Sequence, residues 1–144
     1  MRTFALIAAL TLSLVCAGRA AGPGPTIVTP DKIHWQAGTG AMKGAQYAVL
    51  YGDPSKAGYF AVRLLMPDGL VFAPHVHAEQ ENVTVISGTL MVGLGDKVDK
   101  AKMLALQAGS FVSVPPNLHH YAMSKGVTVV EITGVGPRTM TAIH

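Results

Sequence analysis

The sequence predicts an all-β protein, an antiparallel sandwich or closed barrel with almost no helix. Three observations carry this. Short apolar segments rich in Val, Ile, Tyr, Phe and Thr follow one another through the chain from residue 46 onward. Turn signals built from Gly, Pro, Asn and Asp stand between them. No segment holds a sustained i, i+3, i+4, i+7 apolar stripe, the pattern that a packed helix needs.

The first twenty residues are of another kind. Arg2 is followed by "FALIAALTLSLV", Phe4 to Val15, an unbroken run of apolar and small residues, and then by "AGRAAG". A positive start, an apolar centre and small residues at the end are the plan of a secretory signal peptide. The run falls short of the about 20 apolar residues that a bilayer-spanning helix needs. The alternatives are an uncleaved anchor or a buried strand. Cleavage of residues 1–20 after Ala20 is expected, because Gly18 and Ala20 are small. The product would be periplasmic or secreted and free of the membrane.

Cleavage changes the composition. It leaves 124 of the 144 residues, enough for one core and too few for two, so a single domain over 24–144 is expected. Arg2 and Arg19 leave and no acid leaves, so the formal net charge falls from +3 to +1. No Lys/Arg run remains, which argues against a nucleic-acid partner. Cys16, the single cysteine, leaves as well. A disulfide, a thiol nucleophile and a thiolate ligand are thereby excluded. Bulky Val15 before Cys16 disfavours lipid attachment there.

After a loop-like "AGPGPTIVTP", the predicted strands are "QYAVLY", "YFAVRLLM", "LVFA", "NVTVIS", "TLMVGL", "MLAL", "SFVSV", "HYAM" and "VTVVEIT". The turns between them are "GDPSKAG", "PDG", "SG", "GDKVDK", "QAG", "PPN" and "SKG". Gly supplies a positive φ in such turns, Pro fixes φ, and Asn and Asp tolerate the left-handed region. Many short strands at close spacing point to a sandwich or a closed barrel.

The chemistry concentrates in "GLVFAPHVHAEQENVTVISG", Gly69 to Gly88. His75 and His77 lie on one face of an extended chain, and Glu79 and Glu81 share that parity if the extension persists. Val83 and Val85 continue the same side into an apolar interior. Buried imidazoles and a buried carboxylate are costly without partners, and one metal ion satisfies them together. The alternative is a solvent-facing polar loop after Pro74. A second stretch, "GSFVSVPPNLHHYAMS", Gly109 to Ser124, adds His119 and His120, of which only one can point inward from a strand.

These two stretches resemble the two motifs of the cupin superfamily. The first motif is glycine, five residues, His-x-His, three or four residues, Glu, six residues, glycine. Gly69, His75, His77, Glu81 and Gly88 match it without departure. The second is glycine, five residues, Pro-x-Gly, two residues, His, three residues, Asn. Gly109, Pro115 and His120 match it; Asn117 stands for the last glycine and Ser124 for the asparagine. Asn is the next best residue at positive φ, and the Ser124 position reads as loose. The stretches "DKIHW", "VLYGDPSKAGYFAVRL" and "TGVGP" look like those of small, exported, single-domain bacterial cupins.

The resemblance implies a double-stranded β-helix, the jelly-roll barrel. It implies His75, His77, Glu81 and His120 as ligands of one divalent transition metal, Fe, Mn, Ni, Cu or Zn. Three neutral imidazoles and one carboxylate would leave one or two positions for exchange, as in catalytic centres. A chain exported unfolded would take what its compartment offers, and the affinity order favours Cu and Zn.

Two further residues are candidates at the site. Glu79 would be a general base or a hydrogen-bond acceptor for a ligand, against a solvated loop glutamate. Arg63 would clamp a substrate carboxylate from inside the barrel, against an arginine that snorkels outward, with Glu131 as a cross-strand partner. Tyr121 alternates away from His120 and reads as an outer or interface residue. The expected function is that of a metalloenzyme acting on a small oxygenated molecule, by dioxygenase or by isomerase/lyase chemistry. A non-catalytic small-ligand or metal-sensing cupin is the alternative. A homodimer is expected from the way small cupins pair.

Overall fold

The computed structural model describes residues 24–144; the signal-peptide expectation for residues 1–20 lies outside the described residues. Nine strands form one curled, wholly antiparallel sheet. They are β1 (Gln36–Ala37), β2 (Gln46–Tyr51), β3 (Gly58–Met66), β4 (Val71–Val76), β5 (Glu81–Leu94), β6 (Leu104–Gln107), β7 (Phe111–Val114), β8 (His120–Gly136) and β9 (Thr141–Ala142). Helix is confined, among the described residues, to three single 3-10 turns at Pro30–Lys32, Gly40–Met42 and Lys100–Lys102. None is long or apolar enough to cross a membrane.

Two expected turns are bends inside continuous strands. "NVTVIS" and "TLMVGL" merge into β5, and "HYAM" and "VTVVEIT" merge into β8. β5 and β8 pair along most of their length, and the register shifts on both sides of Ser87. Gly88 marks the corner with φ of 75°. A Cβ on it would meet the Val127 carbonyl oxygen at 2.4 Å, so the two backbones approach there as only glycine permits. Thr128, wholly buried, accepts from the Thr89 N–H at 3.2 Å and donates to the Thr89 carbonyl at 3.0 Å, which ties the bend together.

β8 joins the two halves of the barrel. Its first part pairs with β4, its last part with β3, and β5 runs along it on the other side. Alternate residues turn inward: Phe60, Val62, Leu64 and Met66 from β3, Val83 and Val85 from β5, Val130 and Ile132 from β8. Each such side chain, fully buried, contributes roughly 1.5–3 kcal/mol. The same core side chains also wall a cavity that the buried polar residues of β4, β5 and β8 border.

Both departures in the second motif have a structural reading. Asn117 has φ of 61°, so it takes the left-handed conformation expected of the glycine it replaces. Ser124 is not loose. It is 1% exposed, accepts from the Leu70 N–H at 3.0 Å and donates to the Pro67 carbonyl, pinning the turn that leads into the first motif. Asn117→Gly should leave stability within a few tenths of a kcal/mol, whereas Asn117→Val should cost about 1–2 kcal/mol. Gly88→Ala should cost at least as much, through strain and the contact with Val127. Urea denaturation of the three variants checks the order.

Candidate metal centre

His75 lies near the end of β4 and His120 begins β8, and they are direct register partners. That pairing sets their rings side by side, with centroids 4.3 Å apart. His77 follows β4 immediately, its ring 5.0 Å from that of His75 and 5.4 Å from that of His120. The chain then turns, and Glu81 opens β5 from below. Glu81 Oε1 stands 3.5 Å from His77 Nε2, and Oε2 stands 3.4 Å from His120 Nε2. The four side chains that the resemblance singled out therefore meet, and all four are buried.

The hydrogen bonds around the rings decide which nitrogen faces inward. His75 Nδ1 lies 2.7 Å from the Ala73 carbonyl and His120 Nδ1 lies 2.9 Å from the Leu118 carbonyl, while His77 Nδ1 reaches the Thr139 carbonyl. A carbonyl only accepts, so each Nδ1 carries the proton and donates it outward. Each Nε2 then faces the centre, the orientation that metal-binding imidazoles need, and becomes a ligand atom once it carries no proton. One ligand atom from each of the three histidines lies within 4.8 Å of the others. Ligand atoms about 2.0–2.1 Å from one ion stand roughly 3.0–3.4 Å apart, close to the two Glu81 contacts. His77 Nε2 is buried and has no hydrogen-bond partner, an orphan that an ion would satisfy. The residues present fit a divalent metal.

Electrostatics agree with the geometry. Burial pushes the Glu81 carboxyl up, but its hydrogen bond with His120 and the charge of Arg138, helped by His77, overcome this and hold it well below the usual carboxylate range. Burial pulls His75 down to about 4, against its bond to Ala73. It pulls His77 down too, against the nearby Glu81 charge. His120 is raised instead: burial lowers it, and its bonds to Glu81 and Leu118 outweigh that.

The other sequence-predicted residues are elsewhere. Glu79 does not continue the inward face, because the extended chain ends at Val76 and turns before Glu81. Its Oε1 accepts the Thr139 N–H at 2.5 Å and its Oε2 accepts the Thr139 hydroxyl at 2.9 Å. Both oxygens are occupied outside the cavity, so the general-base expectation is replaced by a positioning role. Arg63 is likewise corrected. It alternates with the inward Leu64 and Val62, and its Nε donates to Glu131 Oε2 at 3.0 Å, the outward arrangement in which Glu131 is its cross-strand partner. Tyr121 is 1% exposed rather than an outer residue; it packs over Gly93, and its hydroxyl bonds the Asp99 backbone. His119 stays apart at the surface and pairs with Asp96.

One residue was missed. Arg138 Nη2 donates to Glu81 Oε1 at 2.5 Å. It comes from "GPRTM", after β8, in a segment fixed by the Glu79–Thr139 contacts and by the Arg138 N–H bond to the Pro54 carbonyl at 2.6 Å. No motif marks it, and the only signal was an isolated cation in a charge-poor chain. The four polar groups His75, Glu81, His120 and Arg138 line one end of a cavity of about 60 Å³ whose remaining walls are apolar, among them Leu64, Met66 and Phe72. Met42, Arg138 and Met140 also line an outer depression of about 310 Å³, so they form the boundary between the interior and solvent.

The cupin-domain family model matches residues 61–135, which carry both motifs and His75, His77, Glu81 and His120. The chain belongs to the cupin family. Solved cupin structures share its fold. A cupin described as RmlC-like from Shewanella frigidimarina is 20% identical, with a TM-score of 0.60, over 78% of this chain and 91% of its own. A putative acetylacetone dioxygenase from Methylibium petroleiphilum is 18% identical, with a TM-score of 0.64, over 84% and 83%. The polyketide cyclase RemF from Streptomyces resistomycificus is 12% identical, with a TM-score of 0.70, over 84% and 87%. No curated protein matches this chain in sequence.

The lowered His75 gives a pH signature to the metal-free protein. Above about pH 6.5 the ring is neutral folded or unfolded. As pH falls from there, the unfolded chain takes up a proton that the folded one refuses until about pH 4. The stability that His75 contributes relative to His75→Asn should therefore shrink by roughly 3 kcal/mol between pH 7 and pH 4. Urea denaturation of both chelator-treated proteins across that range measures it; a constant difference would refute the assignment.

Proposed function

We propose that this cupin is an exported mononuclear metalloenzyme acting on a small oxygenated molecule, with His75, His77, Glu81 and His120 as its metal ligands. The observation that carries the reading is the grouping of three histidine ligand atoms, each ring fixed by an outward Nδ1–H bond, beside one buried carboxylate in an apolar cavity. A divalent ion there would supply Lewis-acid polarisation of a substrate oxygen and, for Fe, Mn, Ni or Cu, redox chemistry.

The chain's own residues do the rest. The carbonyls of Ala73, Leu118 and Thr139 orient the imidazoles. Arg138 neutralises Glu81 and holds one of its oxygens. The apolar walls keep water off the reacting group. Among the described residues the cavity offers no acid other than Glu81, and Glu79 is committed to Thr139. An isomerase or lyase version would then move its proton through a water. The shared fold is compatible with both versions, since the Methylibium protein and the cyclase RemF both have it. Export rests on the pattern of residues 1–20. A homodimer through the outer sheet face is supported by exposed Tyr51, Tyr59 and Val135, which adjoin one another on β2, β3 and β8.

Elemental analysis of the protein purified from its exported fraction without chelators tests the reading. Near one Fe, Mn, Ni or Cu per chain is expected, followed by O₂ uptake with small diketones, phenols or sugar acids. Substoichiometric metal, or zinc that none of these perturbs, would favour the non-catalytic binder. Single Ala replacements of His75, His77, Glu81 and His120 should each weaken metal binding by more than the roughly 10–100-fold typical of losing a residue that only orients a ligand. His119→Ala should leave metal content intact, and Glu79→Gln should change it little. Full occupancy in any of the four Ala variants removes that residue from the set.

A further inference from the structure

Arg138 is half-buried at the mouth of the cavity, and its contact with Glu81 uses a single N–H of the five on its guanidinium. The described structure gives its remaining donors no protein partner. The cavity that they border has walls of Leu, Met, Phe, Val, Ile and Ala side chains, with no hydroxyl or amide group among them. A polar ligand group entering it can meet only the three-histidine centre or Arg138. The charge balance points the same way. Neutral imidazoles, Glu81 and Arg138 together carry no net charge, so a divalent ion would leave two positive charges facing an apolar space. Such a space stabilises an anion strongly, because the low dielectric of its walls does not screen the attraction.

We propose that Arg138 is a specificity-determining residue that selects small carboxylates, holding the carboxylate through its free N–H donors while the apolar remainder of the ligand fills the cavity. This inference deepens the metal-centre reading and rests on it. The backbone prepares the arginine for the task. Its own N–H is tied to Pro54, and its neighbour Thr139 is tied to Glu79, Ala78 and His77, so the side chain departs from a fixed point. A guanidinium oriented in advance recognises the planar, two-oxygen geometry of a carboxylate better than an ammonium or an amide does. The same segment places Met140 beside it, between the cavity and the outer depression, so a ligand entering from that side passes the arginine first.

The test compares propionate with its neutral isostere propionamide on wild type, Arg138→Gln and Arg138→Lys. Binding is followed by heteronuclear NMR shifts in the metal-loaded protein and in the chelator-treated protein. Metal content is measured separately. Wild type should bind propionate at least tenfold more tightly than propionamide in both states. In the chelator-treated protein that ratio should fall to near one in Arg138→Gln and to an intermediate value in Arg138→Lys, which keeps the charge and loses the fork; in the metal-loaded protein it should fall without reaching one, because the ion itself prefers the anion. A wild-type ratio near one, or a ratio unchanged in chelator-treated Arg138→Gln, would overturn the proposal. Wild-type protein that takes up no metal would overturn the metal-centre reading alone, since the ratio in the chelator-treated protein still reports on Arg138.

Discussion

Everything at the open end of this barrel answers to one cost, the burial of the Glu81 carboxylate in an apolar interior. An isolated carboxylate moved out of water into such surroundings would take up a proton or force the site open. Glu81 does neither, because His120, Arg138 and His77 approach it together. These three come from the start of β8, the segment after β8 and the end of β4. No local stretch of chain can bring them to one point. Only closure of the sheet does, so the site depends on the barrel as a whole and not on either motif alone.

Closure in turn depends on β5 and β8. Each bends about midway, and the two bends coincide where the Gly88 corner meets the Val127 backbone and Thr128 binds Thr89. On one side of the bend Val83, Val85, Val130 and Ile132 turn inward into the core, and Glu81 lies on that same side at the start of β5. On the other side Leu90 also belongs to the core, and His120 pairs with His75. The segment 137–140 then lies across the opening. Glu79 is the anchor for that segment, since both its oxygens accept from Thr139 while the Thr139 carbonyl accepts a hydrogen bond from His77 Nδ1–H. A glutamate two residues from a ligand thus affects the centre through the position of the arginine and of one imidazole, without touching the cavity.

Much of this was legible in the sequence. The strands were visible because inward and outward residues alternate, and the four converging residues were visible because their spacing matches a two-motif pattern. The left-handed Asn117 followed from what a turn permits at that position. What escaped had a common cause, because it depends on contacts between distant parts of the chain. "SG" and "SKG" look like ends of strands, and only the pairing of β5 with β8 shows that the ladder continues through them. Glu79 shares the parity of His75 in sequence, but the chain turns before that parity can act. Arg138 lies 57 residues from Glu81 in "GPRTM", where nothing in the local pattern distinguishes it from a surface arginine. Arg63, conversely, looked placed for the interior because it is flanked by apolar residues, whereas strand alternation turns it to Glu131.

The division between core and centre bears on what the metal does for the fold. Small zinc domains are unfolded without their ion because the ligands stand in for a core. Here an apolar cluster that includes Phe60, Val62, Leu64 and Val85 forms a core of its own. The imidazoles are oriented by backbone carbonyls of Ala73, Leu118 and Thr139. A bound metal would add stability by an amount set by its concentration relative to its dissociation constant. The donors at the centre are thereby free to be arranged for exchange and substrate contact rather than for enclosure. That arrangement is what an open cavity with one arginine at its mouth requires.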